Sequence, residues 1–556
     1  MSDTSQNQQK AEEMASMQKE VSISEFFEKN RHLLGYDNRI KALMIIVKEA
    51  VDNSLDACEE AKILPDIYVK IEELEKEKYK IIVKDNGPGI VKKQVPKIFG
   101  TLLYGSKFHR LRQSRGQQGL GISVAVLYSQ LTTGQATEVI TSTGNGVTHK
   151  YTLKIEVKKN EPVILSDETM DGKQWHGVQV AFICEGIYRE YKQGVLEYIK
   201  ETAICNPFVN ITFDSPTGRY EFKRSVERLP KEPKEIRPHL HGVEVGILAR
   251  MLKDTKARSA AGFLVSEFSR VGSGTAKQIC EKAGVDPRLS PRKVEDDQAV
   301  ALIKAVKEVK LTRPPTDCLS PLGNNLIKEG LIKELNPEFV ATISRSPTVY
   351  RGWPFLIEAG IAYGGSIESP TIMRFANRVP LLYQQGDCAF TKSAQAVDWK
   401  RYKIDADKLP TGPVILFIHM ASVWVPFTSE SKEAVASYPA IMKETKLAIQ
   451  EVARKLSIYL SGVRRAKWQA ERKSILERYA EETALAVSEL TGETKDKILG
   501  QIKKIVGERI GEAVAEESEE QPEGLGEYQA DQSEGGGGHE EETGEGEPGT
   551  DGEESG

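Results

Sequence analysis

Three short segments in the first quarter of the chain contain the residue types that a nucleotide site needs. In the first, Glu49 and Asn53 are four residues apart, so they share one face of a helix, and Asp56 follows about one turn later. A carboxylate can take a proton from an attacking water, and a carboxamide oxygen can ligate Mg2+. Taken alone, this segment fits the solvated face of an acidic helix better.

The second segment places a carboxylate where a strand ends. Asp85 follows the apolar run Ile81-Ile82-Val83, and Gly87 and Gly89 come directly after it. A carboxylate there can accept a hydrogen bond from an exocyclic amine such as that of adenine, and glycines allow a ring to approach the backbone closely. The alternative is a plain turn, because Asn-Gly and Pro-Gly are strong turn signals.

The third segment is a glycine loop that opens a helix. It consists of Gly116, Gln117, Gln118, Gly119, Leu120, Gly121, Ile122 and Ser123. Backbone N–H groups at a helix N-terminus bind phosphate, and the basic stretch from Lys107 to Arg115 could close over a triphosphate as a lid. The loop is not a dinucleotide fingerprint, and Ser106-Lys107 has the wrong order for a P-loop.

Hydrophobic periodicity predicts the elements that carry these segments. Residues 22–62 and 121–130 have helical patterns, and residues 67–71, 79–83, 138–141, 151–157 and 178–183 have strand patterns. This mixed order predicts an α/β sandwich in which helices cover one face of a sheet.

The remainder of the chain is predicted to be helical, then mixed, then helical again. A proline-rich break at 230–238 precedes a helical segment, 239–310, with turns at 271–275 and 286–287. Strands are predicted at 354–359, 379–383 and 414–419, and helix from about 431 to 510. The predicted domains are a flexible tail at 1–21, an ATPase domain at 22–228, a helical domain at 229–310, a third domain at 311–511 and a disordered acidic tail at 512–556.

Charge and cysteine content limit the class of protein. The whole chain carries a net charge of -5, but residues 512–556 contain 17 acidic and no basic residues, so residues 1–511 carry +12. A basic body suits a polyanion such as double-stranded DNA, although +12 is modest for its length. The six cysteines form no CxxC pair, and the sequence has no long apolar run or secretory signal, so we expect an intracellular, cytoplasmic protein without membrane contact.

The three segments in this order, E-x-x-x-N-x-x-D-A, D-x-G-x-G and G-x-x-G-x-G, resemble the GHKL ATPases, whose nucleotide domain is an α/β sandwich called the Bergerat fold. The resemblance implies that ATP and Mg2+ are bound. It implies that Glu49 is the catalytic base, Asn53 the magnesium ligand and Asp85, with Gly87 and Gly89, the adenine reader. Ser106 and Lys107, together with residues 116–123, correspond to the nucleotide lid and the phosphate loop.

Further segments are similar to the ATPase subunits of type IIB DNA topoisomerases. They are residues 25–39, 316–323, 349–355, 358–365, 398–402 and 423–429. The first corresponds to an N-terminal strap that reaches across an ATP-closed dimer. Residues 239–310 correspond to a helix-two-turns-helix module, and the segment after 311 to an α/β transducer with a long C-terminal helix. Lys432 corresponds to a transducer lysine that reaches the γ-phosphate; the alternative is an exposed lysine at a helix start.

This resemblance implies an ATP-hydrolysing DNA topoisomerase subunit. Two copies would pair on ATP binding and clamp a DNA duplex, while a separate A subunit, gripped by residues 470–510 in an A2B2 heterotetramer, cuts another duplex in the nucleoid. One alternative is a GHKL clamp or scaffold without strand passage. Another is a sensor histidine kinase, but only His32 precedes Glu49 as a phosphoacceptor. Some members carry an immunoglobulin-like domain where this chain has its acidic tail. This negatively charged tail could compete with DNA for the basic surface of the protein.

Overall fold

The computed structural model describes residues 10, 12–16, 21–105, 111–116, 119–171, 175–190, 193–429 and 431–505. The chain divides into two compact units, Met1–Ser461 and Gly462–Gly556. The predicted acidic tail at 512–556 and most of the predicted N-terminal tail lie outside the described residues. No helix in the described part is long and apolar enough to cross a membrane.

The first part of the first unit is a large sheet with helices. The helices are α1 (Ile23–Lys29), α2 (Arg39–Glu60), α3 (Val95–Gly100), α4 (Gly121–Thr133) and α5 (Val195–Cys205). The strands are β1 (Asp66–Glu75), β2 (Lys78–Lys84), β3 (Thr137–Thr143), β4 (Val147–Glu156), β5 (Glu161–Asp171), β6 (His176–Glu185), β7 (Asn210–Asp214) and β8 (Arg219–Phe222). Their order is β5-β4-β3-β6-β2-β1-β7-β8, with only β1 and β7 parallel.

Alternating burial shows which face of this sheet the helices cover. In β2, Tyr79, Ile81 and Val83 are buried while the residues between them are half-buried, as expected for a strand with one face in the core. Helix α2 begins at the Asn38 cap, whose side chain accepts a hydrogen bond from the Ile40 N–H, and its apolar residues join the same core. The predicted α/β sandwich is therefore confirmed.

A separate helical cluster follows. It contains α6 (Val245–Asp254), α7 (Ala260–Glu267), α8 (Ser273–Lys282) and α9 (Asp296–Glu308). Leu248, Phe263, Ile279 and Leu302 meet in its core. The turn predicted over 271–275 is too long, because Gly272 already caps α8 and helix begins at Ser273.

The last part of the first unit contains a second sheet. It comprises α10 (Gly323–Leu335), β9 (Phe339–Ser344), β10 (Thr348–Tyr350), β11 (Trp353–Tyr363), β12 (Thr371–Ala376), β13 (Val379–Pro380), α11 (Ala389–Gln395) and β14 (Val414–Ser422). The order is β10-β11-β14-β12-β13, and β9 also pairs with β11. The strands predicted at 354–359 and 414–419 are confirmed, whereas β13 ends at Pro380, before the predicted end at 383, although the Leu381 N–H still donates to the Arg374 carbonyl at 2.8 Å.

The long helix α12 (Pro439–Thr491) starts later than predicted. Residues 431–438 are not helical, because Phe427 and Val435 pair in a β-bridge and the Thr428 N–H donates to the Ala434 carbonyl at 2.9 Å. In the second unit the predicted break at 491–492 is confirmed: Gly492 has a φ of 75°, and helical backbone resumes from 495 to 505.

Candidate nucleotide site

A cavity of about 530 Å3 lies between α2, the end of β2 and the start of α4. The predicted site residues that line it are Glu49, Asn53, Asp85, Gly89, Gly116, Gly119, Leu120, Gly121, Ile122 and Lys432. Gly87 and Ser123 lie beside it: the Gly87 N–H donates to Asp85, and the Ser123 hydroxyl donates to the Leu120 carbonyl. Ser106, Lys107, Gln117 and Gln118 fall outside the described residues.

Helix α2 presents Glu49 and Asn53 to the cavity from one face, as their spacing predicts. Behind them, the Lys48 ammonium lies between two carboxylates, 3.2 Å from Glu49 Oε1 and 3.1 Å from Asp52 Oδ2. Burial alone would lower the pKa of Lys48, but these carboxylates raise it above its ordinary value. Lys48 therefore stays charged and holds Glu49 at the cavity wall. Sequence reasoning missed this role of Lys48.

Two glycines are required by close approach of the chain. A Cβ at Gly121 would lie 1.8 Å from Glu49 Oε2, so the first residue of α4 must be glycine if the Glu49 carboxylate is to occupy its position. Gly89 has a φ of 73°, and a Cβ there would lie 2.1 Å from the Ser142 carbonyl oxygen. The first contact connects the predicted glycine loop directly to the predicted base.

Asp85 is held at the end of β2 by three hydrogen bonds. Its Oδ1 accepts from the backbone N–H groups of Gly87 at 2.9 Å and Val178 at 3.0 Å, and its Oδ2 accepts from the Ser54 hydroxyl at 2.7 Å. Burial raises the pKa of Asp85, although these donors oppose the shift. The plain-turn alternative does not account for a carboxylate fixed in a cavity wall. Ser54, next to Asn53 on α2, was missed from sequence.

Lys432 reaches the same cavity from the second sheet's part of the chain. Its Nζ donates to the Arg115 carbonyl oxygen at 2.9 Å, directly before the glycine loop. Burial lowers the pKa of Lys432 below its ordinary value, although the nearby carboxylate of Glu49 and other acidic groups oppose this shift. The alternative of an exposed lysine at a helix start is wrong: Lys432 is buried, and α12 begins only at Pro439.

The Arg115 side chain differs from the sequence expectation. Instead of contributing to an exposed basic lid, it is buried, 3.0 Å from Asp56 Oδ1 and 2.6 Å from Glu59 Oε1, and it donates to Asn206 Oδ1 at 2.6 Å. Although burial opposes it, these carboxylates raise the pKa of Arg115. Asp56 therefore turns toward Arg115, and it is absent from the cavity lining that holds Glu49 and Asn53.

The segment before the glycine loop is also bound to the second sheet's part of the chain. The Gln113 side chain accepts from the Ser320 N–H at 2.8 Å and donates to the Ser320 carbonyl at 3.0 Å. The Asn377 side chain donates to the Ser114 carbonyl at 3.2 Å. The Arg378 guanidinium lies 2.7 Å from the Glu59 carboxylate on α2, so this helix is also joined to the part of the chain that contains the second sheet. Local sequence patterns give no signal for these long-range pairs.

A buried hydrogen-bonded chain continues from Arg378 into the second sheet. The Arg378 N–H donates to His419 Nε2 at 3.0 Å, so His419 carries its proton on Nδ1, 2.8 Å from Glu358 Oε2. Burial alone would raise the pKa of Glu358, but His419 and the N–H groups around it lower the pKa. Glu358 also accepts from the N–H groups of Leu322 and Gly323 at the start of α10.

Two family models match parts of the chain. Residues 38–159 match the family model for the histidine kinase-, DNA gyrase B- and HSP90-like ATPases, and residues 314–473 match that for the topoisomerase VI B subunit transducer. The cavity lies in a GHKL-type ATPase fold.

Curated relatives define the family. The B subunit of type 2 DNA topoisomerase 6 from Methanococcoides burtonii is 48% identical over 509 residues, 90% of this chain and 81% of that protein. Its counterpart in Pyrococcus abyssi is 42% identical over 552 residues, 90% of this chain and 97% of that protein. The chain belongs to the family of type 2 DNA topoisomerase 6 B subunits, which confirms the resemblance. Among solved structures, the ATPase region of Saccharomyces cerevisiae topoisomerase II has a TM-score of 0.39 at 12% identity, covering 80% of this chain and 99% of that one.

Proposed function

We propose that this chain is the ATP-binding and ATP-hydrolysing subunit of a type IIB DNA topoisomerase. Two copies would pair on binding ATP and clamp a DNA duplex, and this closure would be coupled to cleavage and strand passage by the A subunit. The observation that carries the proposal is the position of Lys432. A lysine from the transducer segment lines the same cavity as Glu49 and Asn53, more than three hundred residues earlier in the chain.

The cavity residues have distinct roles in this proposal. Glu49 takes the proton of the attacking water, Asp85 accepts a hydrogen bond from the adenine amine, and the N–H groups of residues 116–123 bind the phosphates, with Ser106 and Lys107 in the lid. Asn53 would hold Mg2+, which neutralises phosphate charge. The Asn53 carboxamide suits that role because it makes no hydrogen bond to any residue that the structure describes and lines the cavity.

Lys432 would report the presence of the γ-phosphate. Its present acceptor is a neutral carbonyl, and a phosphate oxygen is a stronger, charged acceptor for an ammonium. Exchange of one acceptor for the other would move the transducer segment, and loss of the phosphate on hydrolysis would reverse the movement. The buried chain from Arg378 through His419 to Glu358 gives this movement a contiguous polar connection to the second sheet.

The net charge of the chain and its family membership indicate which partners it binds. A body carrying +12 over residues 1–511 favours double-stranded DNA, and the helical domain at 229–310 is a candidate contact surface. The A subunit would bind toward the C-terminal end of the transducer domain, 311–511, in an A2B2 assembly in the cytoplasm, close to the nucleoid.

ATP-dependent relaxation of supercoiled DNA by this chain with its cognate A subunit tests the proposal. We expect relaxation only when both proteins and ATP are present. ATP turnover without relaxation would support the alternative of a GHKL clamp or scaffold without strand passage.

Acidification should weaken ATP binding through Asp85. Because burial raises the pKa of Asp85 above its ordinary value of 3.8, its carboxylate is lost at a higher pH than that of an ordinary aspartate as the pH falls. We therefore expect that, as the pH is lowered, ATP affinity measured by calorimetry begins to fall before the pH reaches 3.8. Asp85→Asn, which has no titrating carboxyl at this position, should bind weakly and keep only the pH dependence that comes from protonation of ATP itself and of other groups. Identical profiles in both proteins would contradict the role of Asp85.

Lys432→Ala should weaken the response of the transducer to nucleotide. The variant loses the ammonium that senses the γ-phosphate, so small-angle scattering with a non-hydrolysable ATP analogue should change much less than for the unmodified chain. The matched control is Lys455→Ala, which removes an exposed lysine that donates to the Thr342 carbonyl at 3.0 Å. A full scattering response in Lys432→Ala would be inconsistent with the proposed sensing.

A further inference from the structure

The residue after Lys432 makes a second contact with the ATPase domain. Glu433 is buried and forms an ion pair with Lys41 in the first turn of α2, and it accepts a hydrogen bond from the Ser431 hydroxyl at 2.9 Å. The Lys41 ammonium also lies 3.4 Å from Asp37 Oδ1 and 5.4 Å from the centre of the Tyr383 ring. Neither Lys41 nor Glu433 lines the nucleotide cavity.

The loop that carries both residues is tightly closed. The pairing of Phe427 with Val435 joins its ends, and the Lys432 N–H donates to the Ser429 carbonyl at 3.1 Å. Lys432 itself has a φ of 54°, in the left-handed region. As a result, two consecutive side chains of opposite charge have different targets, Lys432 at the Arg115 carbonyl and Glu433 at Lys41.

The two attachments differ in strength. The side chains of Lys41 and Glu433 are 13% and 5% exposed, so removing Lys41 leaves the buried Glu433 carboxylate without this counterion, whereas removing Glu433 leaves Lys41 with only the more distant Asp37 carboxylate. Among the residues that the structure describes, the Lys432 ammonium donates a hydrogen bond to one acceptor, the neutral Arg115 carbonyl. When a phosphate competes for Lys432, the hydrogen bond to the Arg115 carbonyl is the attachment that the phosphate can replace.

We propose that the Lys41–Glu433 ion pair positions the Lys432 loop on α2, so that the Lys432 side chain lies in the nucleotide cavity. From this position the Lys432 ammonium can exchange the Arg115 carbonyl for a phosphate oxygen. Lys41 and Glu433 are positioning residues that act through Lys432. This inference rests on the proposed function of the cavity.

ATPase kinetics of variants that remove or keep these charges, measured in the full chain, test the inference. Glu433→Gln and Lys41→Gln should each lower kcat about tenfold or more, because a displaced lysine no longer meets the phosphate, with KM for ATP nearly unchanged since the adenine end is untouched. The double variant should be no worse than either single one. Lys41→Arg, which keeps the ion pair, should retain most of the activity. Lys150→Gln, which breaks a half-buried ion pair with Glu138, is the matched control.

A Lys432→Ala background separates positioning from general stability. If Glu433 acts through Lys432, adding Glu433→Gln to Lys432→Ala should cause no further loss of kcat. A further loss as large as in the unmodified chain, or an unchanged kcat in Glu433→Gln alone, would overturn the inference while the unmodified chain still hydrolyses ATP. If the unmodified chain neither binds nor hydrolyses ATP, the proposed function fails and this inference fails with it.

Discussion

Glu49→Ala should lower ATP turnover by roughly 10²–10⁴-fold, the usual contribution of a general base, while two copies still pair on binding ATP. The carboxylate is at the cavity wall, with Lys48 behind it 3.2 Å away. Its removal takes away the proton acceptor but leaves Asp85, Asn53 and the glycine loop to bind the nucleotide. Steady-state phosphate release measures the first effect, and analytical ultracentrifugation with ATP measures the second.

A carboxylate at the exposed end of the same helix provides the control. Glu60→Ala removes an acidic residue from the last turn of α2, where its carboxylate lies 4.0 Å from Arg112, so turnover should stay close to that of the unmodified chain. Undiminished hydrolysis in Glu49→Ala would exclude Glu49 as the base. Loss of ATP-driven pairing together with turnover would point to a structural role instead.

Gly121→Ala should nearly abolish turnover although alanine is an excellent helix former. A methyl group at position 121 would lie 1.8 Å from Glu49 Oε2, far inside van der Waals contact, so the carboxylate or the start of α4 must move. Misplacement of a catalytic group by about 1 Å can cost roughly 10²-fold in rate. The same kinetic assay, with circular dichroism to follow folding, measures the effect.

Gly246→Ala is the matched glycine substitution. Gly246 lies in α6 with nothing within 4 Å of the added methyl group, so this variant should retain full turnover and gain up to about 1 kcal/mol of helix stability. Full activity in Gly121→Ala would mean that Glu49 can act from another position, and it would remove the steric link between the glycine loop and the base.

Local sequence signals predict the parts of the site that depend on neighbouring residues. The spacing of Glu49 and Asn53 predicts their shared helix face, the apolar run before Asp85 predicts a strand end, and the glycine loop predicts the helix start at Gly121. These features depend on periodicity and turn chemistry, which any short window of sequence contains. Their catalytic and binding roles remain predictions.

Features that depend on distant contacts could not be predicted from spacing. The position of Lys432 was expected only through the family resemblance, and neither its Arg115 acceptor nor the Glu433 ion pair has a local signal. Strand β5 was missed because its many polar residues mask the alternation of an edge strand. The helix predicted from residue 431 was wrong because β-pairing of Val435 overrides local propensity.

The hydrogen bonds of the segment before the glycine loop have a practical consequence for choosing fragments of this protein. Gln113 pairs with Ser320, Ser114 with Asn377, and Glu59 with Arg378, so the ATPase domain is completed by residues beyond the linker at about 312. A fragment that ends at that linker would keep Glu49 and Asp85 but expose the carboxylates and carbonyls that these later residues cover. The nucleotide site of such a fragment would have different surroundings from that of the whole chain. Nucleotide or inhibitor affinities measured on the fragment would therefore differ from those of the whole chain.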